Sequence, residues 1–369
     1  MRFDLRSRQR RDRQEKVTLQ DIAKAAGVSA ITVSRALREP QKVSETLRDD
    51  ILRRVTEMGY VPDLAARALA SRHSGIICVL TPVLANYNFL SVMRGIEQRA
   101  QNTEFRIQYA NSLNDPREEL HQLNMLISQN PSGIIVVGVD DGDDVTRALE
   151  RAHCPVVQIS GTILHPVDMA IGIDHRAGGV TATRHLLEGG YRRIGMLGGM
   201  FDARARSRLA GYRGVMEEAG LYDPALVISE DVPSSIHLGC KLLRRLLETA
   251  PDVDAVFCHN DDVALGVMFE CQRLGIRIPD DFGVCGFNDL DFAAVTEPPL
   301  TTIRVPRFEI GYRATDMVIR RAGGEDVASH LVDLDYKLII RQSTRRVAKA
   351  DPKAVDAAPS VPQAEGFRQ

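Results

Sequence analysis

Two sets of side chains in this sequence have the type and spacing for chemistry. One follows runs that read as strands: Arg206 and Arg208 in ARSRLAGY, Asn260 and Asp261 after AVFC, Asn288 and Asp289 after VCGF. An amide both donates and accepts, and a guanidinium grips a carboxylate through two parallel N–H bonds, so these residues suit a small polar ligand. The other set lies near the front, in VTLQDIAKAAGVSAITVSRAL from Val17 to Leu37, where Thr18 and Ser29 stand before short apolar-periodic segments. A hydroxyl at a helix start accepts from orphan backbone donors, and exposed hydroxyls and amides at such starts are what phosphate oxygens seek.

The elements that must hold the front set are two short helices. Leu19, Ile22, Ala23 and Ala26 form one buried stripe, and Val28, Val33, Ala36 and Leu37 a second. Gly27 permits the tight turn that sets the helices at a steep angle, so that the second can lie in a DNA major groove while the first crosses the phosphates. Two helices joined by a glycine turn also occur in ordinary bundles. Ser44 is expected to cap a third helix, Glu45 to Met58, ending at Gly59. The chain continues YVPDLAARALA, an alanine-rich stretch too short to be stable alone in water and equally readable as a linker.

Charge is divided in the same way. Residues 1–74 carry 16 Lys/Arg against 10 Asp/Glu, a net of +6, whereas the whole chain is −2, which leaves −8 for residues 75–369. A basic head on an acidic body directs the head to DNA, with steep salt dependence. Arg6, Arg8, Arg10, Arg11 and Arg13 precede the helices and read as a basic arm or as plain solvated surface.

From Gly75 onward short Val/Ile-rich runs alternate with helical patterns: 76–81, 90–100, 107–110, 117–127, 133–137, 145–152 and 156–159. The rhythm repeats from Ala170, with AIGI followed by 194–197, 204–219, 226–228, 234–247, 255–258, 262–274 and 282–286. Apolar runs bounded by Gly or Pro are parallel strands covered on both faces, so the body is expected to be two doubly wound sheets with a cleft between them. Ligands of such sheets bind beyond the strand C-termini, where the polar set lies.

With 369 residues, 44% of them hydrophobic, the chain has material for two or three domains. No apolar run reaches 18 residues and the basic N-terminus lacks a signal-peptide core, so a cytoplasmic protein without a membrane span is expected. Cys78, Cys154, Cys240, Cys258, Cys271 and Cys285 form no CxxC pair and read as reduced core residues, not metal ligands; neither a metal nor a cofactor is expected. His121, His153, His175, His185, His237 and His259 could serve an α/β enzyme as acids or bases, yet no nucleophile elbow, phosphate loop or zinc pattern frames them. Residues 347–369, rich in Ala and Pro without leucine heptads, read as a disordered tail.

Taken in order, the two helices, the third helix, YVPDLAARAL, RLAGY, the HND and GFND elements and PPLTTIRV resemble the LacI/GalR family of bacterial transcription regulators over about Val17 to Arg345. The resemblance implies a basic arm at 1–16, a helix-turn-helix DNA-binding domain at 17–61, a hinge helix and linker at 62–74, and an effector core at 75–346 shaped like a type I periplasmic sugar-binding protein. The core subdomains are expected at about 75–165 plus 304–325 and about 166–303 plus 326–346. On this likeness Thr18, Ser29, Ala30, Ile31, Thr32 and Arg35 contact double-stranded operator DNA. Arg35 matches the recognition-helix arginine and suits O6 and N7 of guanine, while Ala30 and Ile31 can touch a thymine methyl but cannot hydrogen-bond. Ala66, Arg67 and Leu69 match the hinge helix, with Leu69 at the position of the leucine that levers open the minor groove. Asp63 departs from the usual asparagine, and a carboxylate near phosphate is unfavourable. Two heads on a pseudopalindrome imply a homodimer.

The same resemblance assigns the effector to Arg208, Asn260 and Asn288 and sets an aromatic at Phe89 against it; in this fold the loop at 81–89, with Asn88, faces the cleft, and Asp174, just after the AIGI strand, is expected to reach it. Packing roles are the plain alternatives: Phe89 in the core, Arg208 paired with an interior carboxylate, Asn288 capping a turn. Where relatives that bind neutral sugars or purines carry aspartate, this chain has Asn288, and removal of that charge beside Arg208 suits an anionic ligand. The stretch AVFCHNDDVALGVMFECQRLGIRIPDDF also resembles repressors of gluconate utilisation, implying gluconate or a related sugar acid as effector of a repressor. A solute-binding protein or a cytoplasmic sugar-acid enzyme on a similar core are the competing classes; a DNA-reading head argues against both.

Overall fold

The computed structural model describes residues 17–61, 74–84, 87–138, 143–161, 165–200 and 202–346. The basic arm, the expected hinge with Asp63, Ala66, Arg67 and Leu69, and the tail after 346 lie outside them. The chain divides into two compact units, residues 1–74 and 75–369.

In the first unit, α1 (Leu19–Ala26) starts at Thr18 with a reciprocal capping box. The Thr18 hydroxyl accepts from Asp21 N at 3.3 Å, and the Asp21 carboxylate accepts from Thr18 N at 2.8 Å. Gly27 closes the helix at φ +66, the left-handed geometry the turn needs. In α2 (Ala30–Arg38) the Ser29 hydroxyl accepts from Thr32 N at 3.2 Å. α3 (Glu45–Glu57) has Ser44 at its cap position, but the Ser44 side chain makes no capping bond, contrary to expectation. Ile22, Val33 and Ile51, one from each helix, are fully buried, and Ala23 and Ala36 are buried beside them. Burial of each large aliphatic contributes about 1.5–3 kcal/mol, and eight- and nine-residue helices need it because they are marginal alone.

The second unit opens with β1 (Ile76–Thr81), α4 (Tyr87–Ala100), β2 (Arg106–Asn111), α5 (Pro116–Ser128), β3 (Gly133–Val137), α6 (Asp143–Glu150), β4 (Val156–Ser160) and β5 (Met169–Gly172). It continues through α7 (His175–Glu188), β6 (Ile194–Gly198), α8 (Ala203–Glu218), β7 (Val227–Ser229), α9 (Ile236–Thr249), β8 (Ala255–Cys258), α10 (Asp261–Leu274) and β9 (Gly283–Asn288). Last come β10 (Thr301–Arg304), α11 (Arg307–Ala322), β11 (Leu331–Asp333) and β12 (Lys337–Ile339). One six-stranded sheet runs β11-β5-β4-β3-β1-β2 and the other β12-β10-β9-β8-β6-β7. Their paired strands are parallel except β12, which runs antiparallel to β10. Helices cover both faces, so β1, β3 and β8 are buried along almost their whole length.

Three expectations shift. β5 pairs with β4 and β11 with β5, so residues 169–172 and 331–333 belong to the first sheet, not to the second subdomain beginning at 166 and resuming at 326. The apolar AIGI run completes the β4 edge, and the chain crosses to the second lobe only as it enters α7. α4 starts at Tyr87, so Asn88 and Phe89 stand in a helix's first turn and not in a loop, and β9 runs two residues past Gly286 to Asn288.

Candidate effector cleft and DNA-reading helix

Between the two sheets lies a cavity of about 190 Å³. The first turns of α4, α7, α8 and α11 and the N-cap of α10 border it, as strand C-termini in open α/β sheets dictate. Helix N-termini carry partial positive charge, so their convergence favours an anion.

Arg208 is the central group. It is 7% exposed, its Nε donates to His175 Nδ1 at 3.3 Å, and its Nη1 donates to the His259 carbonyl. The guanidinium carbon sits 4.2 Å from the centroid of the Phe287 ring. Among the described residues no carboxylate is paired with Arg208, and Nη2 makes no bond to protein. Burial lowers the guanidinium to about 10, which still leaves it charged at neutral pH. Arg204, one turn earlier, does have a partner: its Nη2 and Nε donate to Asp202 at 2.6 and 3.0 Å, while Asp202 also caps α8 through Ala205 N. Burial works to raise the Asp202 carboxyl, but Arg204 and Arg208 overcome it and hold it well below the usual carboxylate range.

In each Asn–Asp pair the amide lines the cavity and the acid braces the scaffold. Asn260 caps α10 by accepting from Val263 N at 3.1 Å, and Asn288 Nδ2 donates across the cleft to Asn88 Oδ1 at 2.7 Å. Asp261, behind them, accepts from the Thr302 hydroxyl and from Leu290 N, both at 2.7 Å, and Asp289 is tied to Arg304 and Arg341. Asn288 adopts φ +117, a strained geometry for a non-glycine residue. Asn88 Nδ2 further donates to Asp262 at 3.4 Å.

Five of the six residues expected at the effector, Asn88, Phe89, Arg208, Asn260 and Asn288, line this one cavity. Asp174 does not: its carboxylate caps α7 by accepting from Ala177 N at 2.9 Å, and the next residue, His175, occupies the cleft in its place. Arg206 is exposed. Sequence reasoning missed Asp202, Arg204, Ser234 and Arg307 on the lining, and took His175 and His259 only as possible acids or bases. Arg204 was accessible in principle, since it stands four residues before Arg208 on one helix face. Arg307 faces both lobes, donating from Nη2 to the Asp289 carbonyl at 3.2 Å and from Nη1 to that of Asn88 at 3.5 Å.

In the first unit, α2 exposes the residues expected at DNA. Ser29 and Arg35 are exposed, Ile31 is 70% exposed, and Ala30 and Thr32 are half-buried. Thr18 is exposed at the start of α1. An apolar side chain left that open on the same helix as an exposed arginine is consistent with a contact surface and not with a packed bundle face.

Residues 18–63 match the family pattern described as bacterial regulatory proteins, lacI family, and residues 183–344 match a periplasmic binding protein-like domain. The chain is 36% identical over 331 residues to the HTH-type transcriptional regulator GntR of Pseudomonas aeruginosa, covering 89% of this chain and 95% of that protein. It belongs to the LacI family. Among solved structures it is similar to a LacI-family transcriptional regulator from Silicibacter pomeroyi, with 32% identity and TM-score 0.83, covering 89% of this chain and all of that one. It is also similar to the lac repressor dimer bound to operator and an anti-inducer, with 25% identity and TM-score 0.77, covering 89% of this chain and 99% of that one. This LacI-family chain is therefore a DNA-binding transcriptional repressor and not an enzyme, with a helix-turn-helix head and a type I periplasmic-binding-protein-like core. Among the described residues no helix is long and apolar enough to cross a membrane, and no cluster of His, Cys, Asp or Glu could hold a metal ion.

Proposed function

We propose that this repressor is controlled by a sugar acid, gluconate or a close relative, bound in the cleft and releasing operator DNA when bound. The observation that carries this reading is Arg208, a buried cation with a fixed plane and no carboxylate on it. Burying an unpaired charge is costly unless a ligand completes it. The lining holds three guanidiniums, of Arg204, Arg208 and Arg307, against the single carboxylate of Asp202, which Arg204 already occupies. A cavity of about 190 Å³ is smaller than the roughly 300–1,000 Å³ of drug-sized sites and suits a small metabolite. Asn260 and Asn288 meet hydroxyls on the second lobe while Asn88 and Phe89 close the first over the ligand. A ligand gripping both lobes favours one arrangement of them and, by linkage, alters operator affinity.

On the DNA side Arg35 reads a guanine, Ala30 and Ile31 lie against thymine methyls, and Thr18, Ser29 and Thr32 meet phosphates. Ala66, Arg67 and Leu69 form the minor-groove hinge. Two copies of the chain read one pseudopalindrome, and the protein acts in the cytoplasm, where that DNA is.

The test is fluorescence anisotropy of an operator selected by the wild-type protein, titrated with D-gluconate, beside calorimetric binding of D-gluconate and D-glucose. Gluconate should bind and release the operator, glucose should bind at least tenfold more weakly, and Arg208→Met should weaken gluconate about 10- to 100-fold, the worth of a charge-assisted hydrogen bond. Equal affinity for the neutral and the acidic sugar rejects the reading.

A further inference from the structure

We propose that His175 is a positioning residue that orients Arg208 without neutralising it, and so sets the preference of the cleft for an anionic over a neutral ligand. The inference rests on the sugar-acid reading of the cleft and adds to it the residue that makes the reading selective.

The cleft contains its own comparison. Arg204 and Arg208 stand one turn apart on α8, and both must be held in place to be useful. Arg204 is held by the Asp202 carboxylate in a direct ion pair. Arg208 is held by two uncharged acceptors, the His175 ring nitrogen at 3.3 Å and the His259 carbonyl, with no carboxylate in direct contact; Asp202 acts on it only at a distance. A carboxylate at residue 175 would orient Arg208 equally well, but the ion pair would cancel the field that an acidic ligand must find. A neutral imidazole supplies the lone pair alone.

The ring is fixed for this task. His175 is 7% exposed and is the first residue of α7, held by the Asp174 cap. Its ring centroid lies 5.7 Å from that of Phe287, the ring over which Arg208 also stacks. On the other edge Gly161 leaves room for it, since a Cβ there would come within 2.9 Å of His175 Cδ2. Because Nδ1 accepts from Arg208, the ring hydrogen sits on Nε2. The charged groups that face the imidazole are Arg208, Arg204 and Asp202, and burial together with the two guanidiniums keeps it neutral.

The experiment uses the full chain with His175→Asn, His175→Asp and Arg208→Met. Asparagine and aspartate are equal in size and both present an oxygen near the position of Nδ1, so only charge separates them. His175→Asn should bind D-gluconate within threefold of wild type. His175→Asp should lose at least 30-fold for gluconate while D-glucose is unaffected or improved, with thermal melting confirming that each variant is folded. Nitrogen-15 NMR gives a readout that does not depend on any effector: His175 should remain the neutral Nε2–H tautomer from pH 8 to 5, and Arg208→Met should abolish that single state. Equal gluconate affinity in the two His175 variants, or an imidazole that behaves identically with and without Arg208, overturns the proposal. If wild type ignores gluconate, the effector reading falls by itself, and the NMR arms still decide whether His175 orients Arg208.

Discussion

Two imidazoles kept neutral inside a protein have a consequence for stability. Burial, with Arg208 next in effect, lowers the His259 imidazole to about 3 and pulls that of His175 well below its ordinary value. On unfolding both return to about 6.5, so below that pH the unfolded chain binds more protons than the folded one and stability falls as pH drops through the window from 6.5 toward 3. Asp261 opposes this: burial raises its carboxyl to about 6, so between pH 6 and its unfolded value of 3.8 the folded state holds the extra proton. Two imidazoles outweigh one carboxyl, so the core should be less stable at pH 5 than at pH 7.5. Urea unfolding at the two pH values checks this, and His259→Gln should shrink the difference whatever its absolute stability; equal stability at both pH values contradicts the account. At this scale the sequence was legible where a motif stood at a strand end, as for Arg208, Asn260 and Asn288. It was not legible for His175 or His259, because nothing in a histidine's neighbours along the chain says whether a cation will be packed against it.

Arg208 and His175 meet because α7 and α8 lie backbone to backbone. A Cβ at Gly179 would fall 2.4 Å from the Arg208 carbonyl oxygen, and one at Gly211 would fall 2.3 Å from that of Arg176. Gly211→Ala must therefore push the helices apart, costing about 1–3 kcal/mol and, on the sugar-acid reading proposed above, weakening gluconate by displacing Arg208. Gly214 on the same helix is exposed, and a Cβ there would meet nothing within 4 Å, so Gly214→Ala should add about 0.5–1 kcal/mol and leave binding alone. Denaturant midpoints for the pair separate close approach from helix propensity, and similar shifts in both variants would remove the packing argument. Elements rich in Val and Ile between Gly or Pro, such as β1, β3 and β8, were read from the sequence to within a residue or two. α7 was not, because its opening HRAGG places two glycines where a helix is least expected, and their use becomes apparent only beside α8. Nor could the sheet of β5 be read, since a parallel partner lies far away in sequence and AIGI is equally apolar in either lobe.

For the molecule as a whole, the basic head and acidic body explain how operator DNA is approached, but a single head holding one half-site through a short helix binds weakly. Coupling two heads turns the second contact into an intramolecular one and raises affinity by about 10²- to 10⁴-fold with no new contact to DNA. The surface for that coupling is expected where the core leaves large apolar side chains open: Tyr87 and Leu90 on α4, Phe308 and Tyr312 on α11. Leu90 and Phe308 line one open depression, and the Phe308 and Tyr312 rings stack with centroids 6.3 Å apart. Monomeric proteins seldom leave such a patch uncovered, and a twofold operator calls for a self-complementary surface. Placing carboxylates there through Leu90→Asp with Phe308→Asp should yield a monomer by sedimentation at micromolar concentration and weaken operator binding at least 100-fold. On the sugar-acid reading each monomer should still bind gluconate as the wild type does, because neither residue lines the cleft. A wild-type chain that sediments as a monomer while holding its operator tightly would refute the twofold arrangement. A double variant that stays dimeric would move the interface to another face of the core.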